Sequence, residues 1–232
     1  MSDKPGKQFP EDCDLAILDD LNPYVSRGGL KLAHALKTFQ VSPTGKTCAD
    51  LGASTGGFTD CLLQQDALKV FTVDVGYGQL DWKLQSDPRV IVLDRKNARA
   101  IALADLKQKD PSLERVDLVV IDVSFISLNL VLPPAFGLLK PDGDIIALVK
   151  PQFEVGKKEV ENKGIIKNPE KHLKVIFSLR DFVARHGWVM LNLTPSPIMG
   201  QKGNREFLIH CALQHRGGMI SEESIKSIVL PG

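Results

Sequence analysis

The 232-residue chain predicts an α/β domain built on a doubly wound, mostly parallel sheet. Three observations lead there. Short apolar runs alternate with helix-length segments along most of the chain. The runs are continuously apolar rather than alternating, the pattern of strands buried on both faces. Several of them end in an acid, a lysine or a Gly-rich turn, the residues expected where a ligand crevice opens at the carboxyl edge of such a sheet.

Taken in order, residues 1–22 are polar and acidic and read as a flexible arm. Ser26 is placed to cap a helix through "GGLKLAHALKTF". There Leu32, Ala35, Leu36 and Phe39 recur at helical spacing in one apolar stripe, and Lys31 lies at its edge. Strands follow at 46–52, 69–75, 89–94, 117–125 and 144–152, with helices at 57–65, 98–109 and 128–139 between them. The segment "FEVGKKEVENKGIIKNPEKH" reads as a charged surface loop. A helix over 169–186 and strands at 188–197 and 205–213 close the domain, which spans residues 23–215. Residues 216–232 read as an irregular tail.

Hydrophobic residues make up 43% of the chain, enough for one substantial core. Lys plus Arg is 29 against 28 for Asp plus Glu, so a globally basic nucleic-acid binder is excluded and only local patches remain. Cys13, Cys48, Cys61 and Cys211 form no CxxC pair and no metal spacing, so no metal site is expected. They read as free thiols in a reducing, cytoplasmic setting. No apolar run is long enough for a membrane span, and none follows a basic start.

The first strand runs into "DLGASTGGF". Gly52, Gly56 and Gly57, with Ser54, Thr55 and Phe58, form a turn where backbone N–H groups can approach a ligand closely. Asp50 at the strand end suits a pyrophosphate poorly and a ligand with an ammonium better. S-adenosylmethionine carries an ammonium, a sulfonium, a ribose and an adenine. The GxGxxG of a nicotinamide-binding fold is absent, which argues against a dehydrogenase. The second strand ends in "VDVG", and Asp74, 22 residues after Gly52 and next to Val75, is placed to accept ribose hydroxyls. At the third strand end, either Asp94 or Asn97 can meet the adenine edge.

Four further polar residues stand out: Lys31, Asp122 in "VVIDVSF", Lys150 in "LVKPQ" and Glu206 in "NREFLIH". Each alone reads as a surface residue, and Asp122 with Lys150 as a structural ion pair. Charge at the end of a buried strand is costly unless it is paired or faces a cleft. Together, two lysines and two acids around one crevice make a proton-handling site.

The strings "YVSRGGLKL", "DLGASTGGFTDCLL", "VDVGYGQL", "DLVVIDVSFISL", "LVKPQFEVG" and "GNREFLI" extend over nearly the whole chain. They resemble the FtsJ-type ribose 2'-O-methyltransferases, most closely the TlyA (hemolysin A) branch. The resemblance implies a Rossmann-like class I SAM-dependent methyltransferase with a seven-stranded sheet and an antiparallel last strand. It implies S-adenosylmethionine as cofactor and RNA as partner, in the form of ribosomal RNA or ribosomal subunits, with no metal and no membrane. It implies that Lys31, Asp122, Lys150 and Glu206 form the family's tetrad, with Asp122 also beside the cofactor. Lys150 then acts as base on a ribose 2'-OH, Asp122 orients it, and Lys31 and Glu206 hold the ribose. Desolvation and the cation of Lys31 favour an amine able to accept a proton, while Asp122 opposes it.

Members of that branch usually carry an N-terminal S4-type RNA-binding domain, and only residues 1–22 precede "PYVSRGG". A partner, or the lysines of segment 153–174 (Lys157, Lys158, Lys163, Lys167, Lys171 and Lys174), would then guide the RNA. Glu154, Glu159, Glu161 and Glu170 dilute that basic patch. The alternative is a non-catalytic RNA-binding assembly factor or a hemolysin-like protein that keeps the fold. The lack of a strongly amphipathic cationic helix argues against pore formation.

Overall fold

Five parallel strands form the left and centre of one sheet: β1 (Thr47–Leu51), β2 (Lys69–Val73), β3 (Val90–Leu93), β4 (Val116–Ile121) and β5 (Leu139–Val149). β6 (Trp188–Pro195) and β7 (Phe207–Leu213) complete it in the order β3-β2-β1-β4-β5-β7-β6, with β7 antiparallel to both neighbours. The architecture comes from a computed structural model that describes residues 22–156 and 164–230. The arm read over residues 1–22, apart from Asn22, lies outside the described residues, as do Cys13, Lys157, Lys158, Glu159, Glu161 and Lys163.

Period-2 alternation along the strands sends successive side chains to opposite faces. On one face, Cys48, Val70, Leu118, Val120, Ile146 and Leu208 pack with α1 (Gly28–Phe39) and α2 (Gly57–Gln64). On the other, Leu51, Phe71, Val119, Ile121, Ala147 and Ile209 share a core with α5 (Leu132–Leu138) and α7 (Pro169–Arg185). Leu32 and Leu36 of α1 are buried, and each such leucine stabilises the fold by about 1.5–3 kcal/mol.

Several boundaries differ from the sequence reading. β4 stops at Ile121, not residue 125, and β5 stops at Val149, where Pro151 opens the short α6 (Pro151–Glu154). The helix expected over 98–109 is only α4 (Leu103–Lys109), started where the Asp105 carboxylate accepts from Ala102 N at 2.9 Å. The helix expected over 128–139 is a 3₁₀ turn, Leu128–Leu130, followed by α5 with proline in its first turn. A one-turn helix, α3 (Trp82–Gln85), had no periodic signal.

The tail is not irregular. Ser221 accepts from Ser224 N at 3.1 Å and starts α8 (Glu222–Val229), with Glu222 and Glu223 in the first turn, where acids are favoured. Ile225 and Val229 enter the core, and Arg205 bonds the carbonyls of Val229 (2.5 Å) and Ile228 (3.0 Å). Among the described residues no helix is long and apolar enough to cross a membrane. Among them, too, no group of histidines, cysteines and acids could hold a metal ion.

Candidate active site

The site begins with close packing of glycines. A Cβ on Gly57 would lie 3.0 Å from Gly29 N and 2.2 Å from Ser26 Oγ, so only glycine lets the starts of α1 and α2 meet. The Asp60 carboxylate of α2 accepts from Val25 N at 2.8 Å and fixes the chain entering α1. Seated this way, α1 sends Lys31 under the crevice rather than to solvent. Its Nζ donates to Glu206 Oε2 at 2.5 Å, and Glu206 is 3% exposed. Glu206 directly precedes β7, where its carbonyl accepts from Ser196 N at 2.9 Å.

Lys150 sits at the corner between β5 and α6. Its Nζ forms an ion pair with Asp122 Oδ1 at 2.6 Å and donates to Ser124 Oγ at 2.8 Å. Asp122 follows β4, with its own N–H held by Leu51 O of β1 at 3.0 Å. All four members of the sequence-derived set therefore line one cavity of about 280 Å³. Thr55, Gly57 and Phe58 line the same cavity.

A second cavity of about 280 Å³ adjoins it, lined by Asp74, Val75, Asn97 and Phe125 among others. The two share Gly52, Ser54, Asp122 and Ser124. Gly52 has φ 88°, and a Cβ there would lie 2.5 Å from the Asp122 carbonyl oxygen. Bare backbone at that point joins the chambers. Ser54 adopts φ 49°, and Asp74 Oδ2 accepts its N–H at 2.8 Å, while Asp74 Oδ1 accepts from Gly76 N at 2.8 Å.

Three of the sequence-derived residues are not brought into either chamber. Asp50 is fully buried beneath the turn, where its Oδ2 accepts from Thr59 Oγ1 at 2.7 Å and its Oδ1 has no partner. Burial pushes its carboxyl up to about 7, against the Thr59 hydrogen bond. It does not face a ligand ammonium, contrary to the sequence reading. Gly56 begins α2 with φ 98° and packs against Leu80 and Leu84. Asp94 accepts from Gly78 N at 3.1 Å and shapes the loop after β2, so Asn97, not Asp94, lines the chamber.

Among the lining residues with no assigned role in the sequence reading are the polar Arg27, Gln79, Lys96, Ser124 and Gln152. Gln79 and Ser124 lie inside the strings "GYGQL" and "VSFISL", which marked the family resemblance without marking a contact. Gln152 follows the lysine in "KPQ", and its Oε1 is buried without a partner.

A sheet in this order with an antiparallel β7, and a two-chambered crevice at the carboxyl ends of β1, β2, β4 and β5, define a class I S-adenosylmethionine-dependent methyltransferase. More narrowly, the chain belongs to the FtsJ-like methyltransferases, whose family pattern matches residues 24–212. The methyl donor is S-adenosylmethionine. The chain is 46% identical to a candidate rRNA methyltransferase, YqxC of Bacillus subtilis (strain 168), over 98% of this chain and 80% of that one. It is 42% identical to the 16S/23S rRNA (cytidine-2'-O)-methyltransferase TlyA of Mycobacterium tuberculosis, over 89% of this chain and 75% of the relative. A solved structure of a candidate hemolysin from Lactococcus lactis superposes with a TM-score of 0.82 at 46% identity, covering 90% of this chain and 97% of that one.

Proposed function

We propose that the protein is an RNA ribose 2'-O-methyltransferase acting on ribosomal RNA in the cytoplasm, with Lys150 as general base. The observation that carries this reading is the joined pair of chambers, with Lys31, Asp122, Lys150 and Glu206 around one of them. The relatives named for rRNA methylation support the choice of RNA.

The second chamber fits the donor by its chemistry. Asp74 offers acceptor oxygens for ribose hydroxyls, Asn97 an amide for the adenine edge, and Val75 and Phe125 apolar surface for the base. The bare backbone of Gly52, with Ser54, Thr55, Gly57 and Phe58, holds the amino-acid end in this reading. S-adenosylmethionine bound there supplies an electrophilic methyl group on a sulfonium.

Lys150 Nζ takes the proton of the ribose 2'-OH as that oxygen attacks. The Asp122 carboxylate, 2.6 Å away, stabilises the ammonium that forms. The Lys31–Glu206 pair presents a cation and an acceptor to the ribose from the far wall. Proton transfer to a positioned base contributes roughly 10²–10⁴-fold. Alignment of the 2'-oxygen with the methyl supplies a further share by positioning. The target nucleotide must turn out of its helix for its ribose to enter the chamber.

The test is transfer of labelled methyl from S-adenosylmethionine to ribosomal subunits and to bare ribosomal RNA. The expected product carries label on ribose, at a linkage that resists alkaline cleavage, and none with Lys150→Ala. Label on a base, or full activity of Lys150→Ala, would overturn the reading.

A further inference from the structure

We infer that Ser124 is a positioning residue for Lys150, its hydroxyl oxygen fixing the direction of the amine lone pair. The inference rests on the proposal that Lys150 is the base.

A neutral lysine amine is tetrahedral, with one carbon, two N–H bonds and one lone pair. Lys150 Nζ donates one N–H to Ser124 Oγ at 2.8 Å, while Asp122 Oδ1, 2.6 Å away, forms an ion pair and accepts no hydrogen bond. The hydrogen bond to Ser124 is therefore what stops the amine rotating about its last bond. Without it, the Asp122 charge alone leaves the lone pair spread over several directions. Ser124 lines both chambers, so it stands where the methyl donor and acceptor must meet. Lys150 lines only the first, on the acceptor side.

The fold holds Ser124 there by a second grip. The next residue, Phe125, is a non-glycine with φ 64°, a conformation that must be enforced by its surroundings. Glu154 holds the turn that follows. Its carboxylate accepts from Ser127 Oγ at 2.7 Å and from Leu128 N at 2.9 Å. Glu154 lies in α6, one turn after Lys150, and the ring of Phe153 from the same turn sits 5.0 Å from that of Phe125. The corner that carries the lysine thus grips the loop just after Ser124.

The experiment compares wild type, Ser124→Ala, Ser124→Thr and Lys150→Ala, with bare ribosomal RNA and ribosomal subunits as probes. Steady-state kinetics and calorimetric binding of S-adenosylhomocysteine are measured for each. Ser124→Ala is expected to lower kcat by about 10–100-fold, with KM for RNA and S-adenosylhomocysteine affinity within about twofold. Ser124→Thr, which keeps the hydroxyl, is expected to recover most of the loss. The split between kcat and KM, with recovery in the Thr variant, separates positioning from general damage.

Wild-type kcat in Ser124→Ala would overturn the inference, and so would equal damage in the Ala and Thr variants. A loss confined to KM or to S-adenosylhomocysteine affinity would do the same. If Lys150→Ala keeps its activity, it is the base assignment that fails, whatever Ser124 does.

Discussion

Buried charge gathers at both edges of the sheet, and the two edges treat it differently. At the amino edge, Asp144 near the start of the paired part of β5 is 5% exposed. Its carboxylate meets Arg216 Nη1 at 2.7 Å, His210 Nε2 at 3.0 Å and Lys46 Nζ at 3.8 Å. His210 is itself bonded to Asn192 at 3.1 Å and stacked on Phe39. Nearby, Asp117 binds Lys140 at 2.7 Å and Thr47 N at 2.9 Å. Burial works against the charge on Asp144, yet His210 and Arg216 outweigh it and hold the carboxyl below its usual range. At the carboxyl edge, the Lys150–Asp122 and Lys31–Glu206 pairs border open chambers. A buried ion pair by itself is thus no sign of chemistry. The sign is a pair whose remaining hydrogen-bonding capacity faces empty volume.

The largest expected effect lies at the carboxyl edge. Lys150→Ala should lower kcat by about 10³-fold or more, while S-adenosylhomocysteine still binds and the protein unfolds at its usual temperature. A variant that lost stability instead would place Lys150 with the amino-edge charges. The converse holds for Asp144→Ala, which leaves His210 and Arg216 facing a gap. It should cost about 3 kcal/mol of stability, read from urea unfolding, with kcat of the remaining folded enzyme unchanged. A fall in kcat without a fall in stability would break the distinction between the edges.

Much of this contrast was legible in the sequence. Asp122 and Lys150 were recognisable because each ends an apolar strand, Glu206 because it starts one and Lys31 because it edges an apolar stripe. The α/β alternation pointed to the parallel sheet, and the family resemblance to the antiparallel last strand that Glu206 leads into. The direction in which a strand-end side chain turns was not legible. Asp50 and Asp122 both close apolar strands. The turn at Gly52 seals the first beneath α2, and the loop before Phe125 opens the second to both chambers. α8 escaped notice because only Ile225 and Val229 anchor it, too few to show a periodic stripe, although "SEES" carries a helix-start signal. Ser124 escaped for another reason: a serine's role depends on one hydrogen bond across 26 residues.

Asp50 gives a pH-dependent test of the same contrast. Its carboxyl moves from 3.8 in the unfolded chain to about 7 in the fold, chiefly because burial penalises the charge. Between those values the folded protein keeps a proton that the unfolded chain has released. Stability from this group is therefore full below about pH 4 and is lost as pH rises toward about 7. From pH 5 to pH 7, wild type should lose about 2 kcal/mol relative to Asp50→Asn, whose amide does not titrate. Urea unfolding at the two pH values measures it. Parallel curves for the two proteins would mean that Asp50 is charged in the fold throughout.

Asp74 lies between the two kinds of charge, and so its substitution sharpens the comparison most finely. Like Asp144 it is committed to structure, each oxygen taking one backbone N–H at 2.8 Å, from Ser54 and from Gly76. Like Asp122 it lines a chamber, and each carboxylate oxygen has a second lone pair free to accept. In Asp74→Asn one oxygen becomes an NH₂, a donor facing a backbone donor, so one turn loosens and one ribose acceptor disappears. The expected result is a roughly tenfold weaker affinity for S-adenosylhomocysteine, about 1.4 kcal/mol. The ligand-free protein should lose no more than about 2–4 °C in Tm, equivalent to roughly 1 kcal/mol. Unchanged affinity with a larger fall in Tm would assign Asp74 to the structural class. Weaker binding with little loss of stability would place it with the charges whose spare valence faces the chamber.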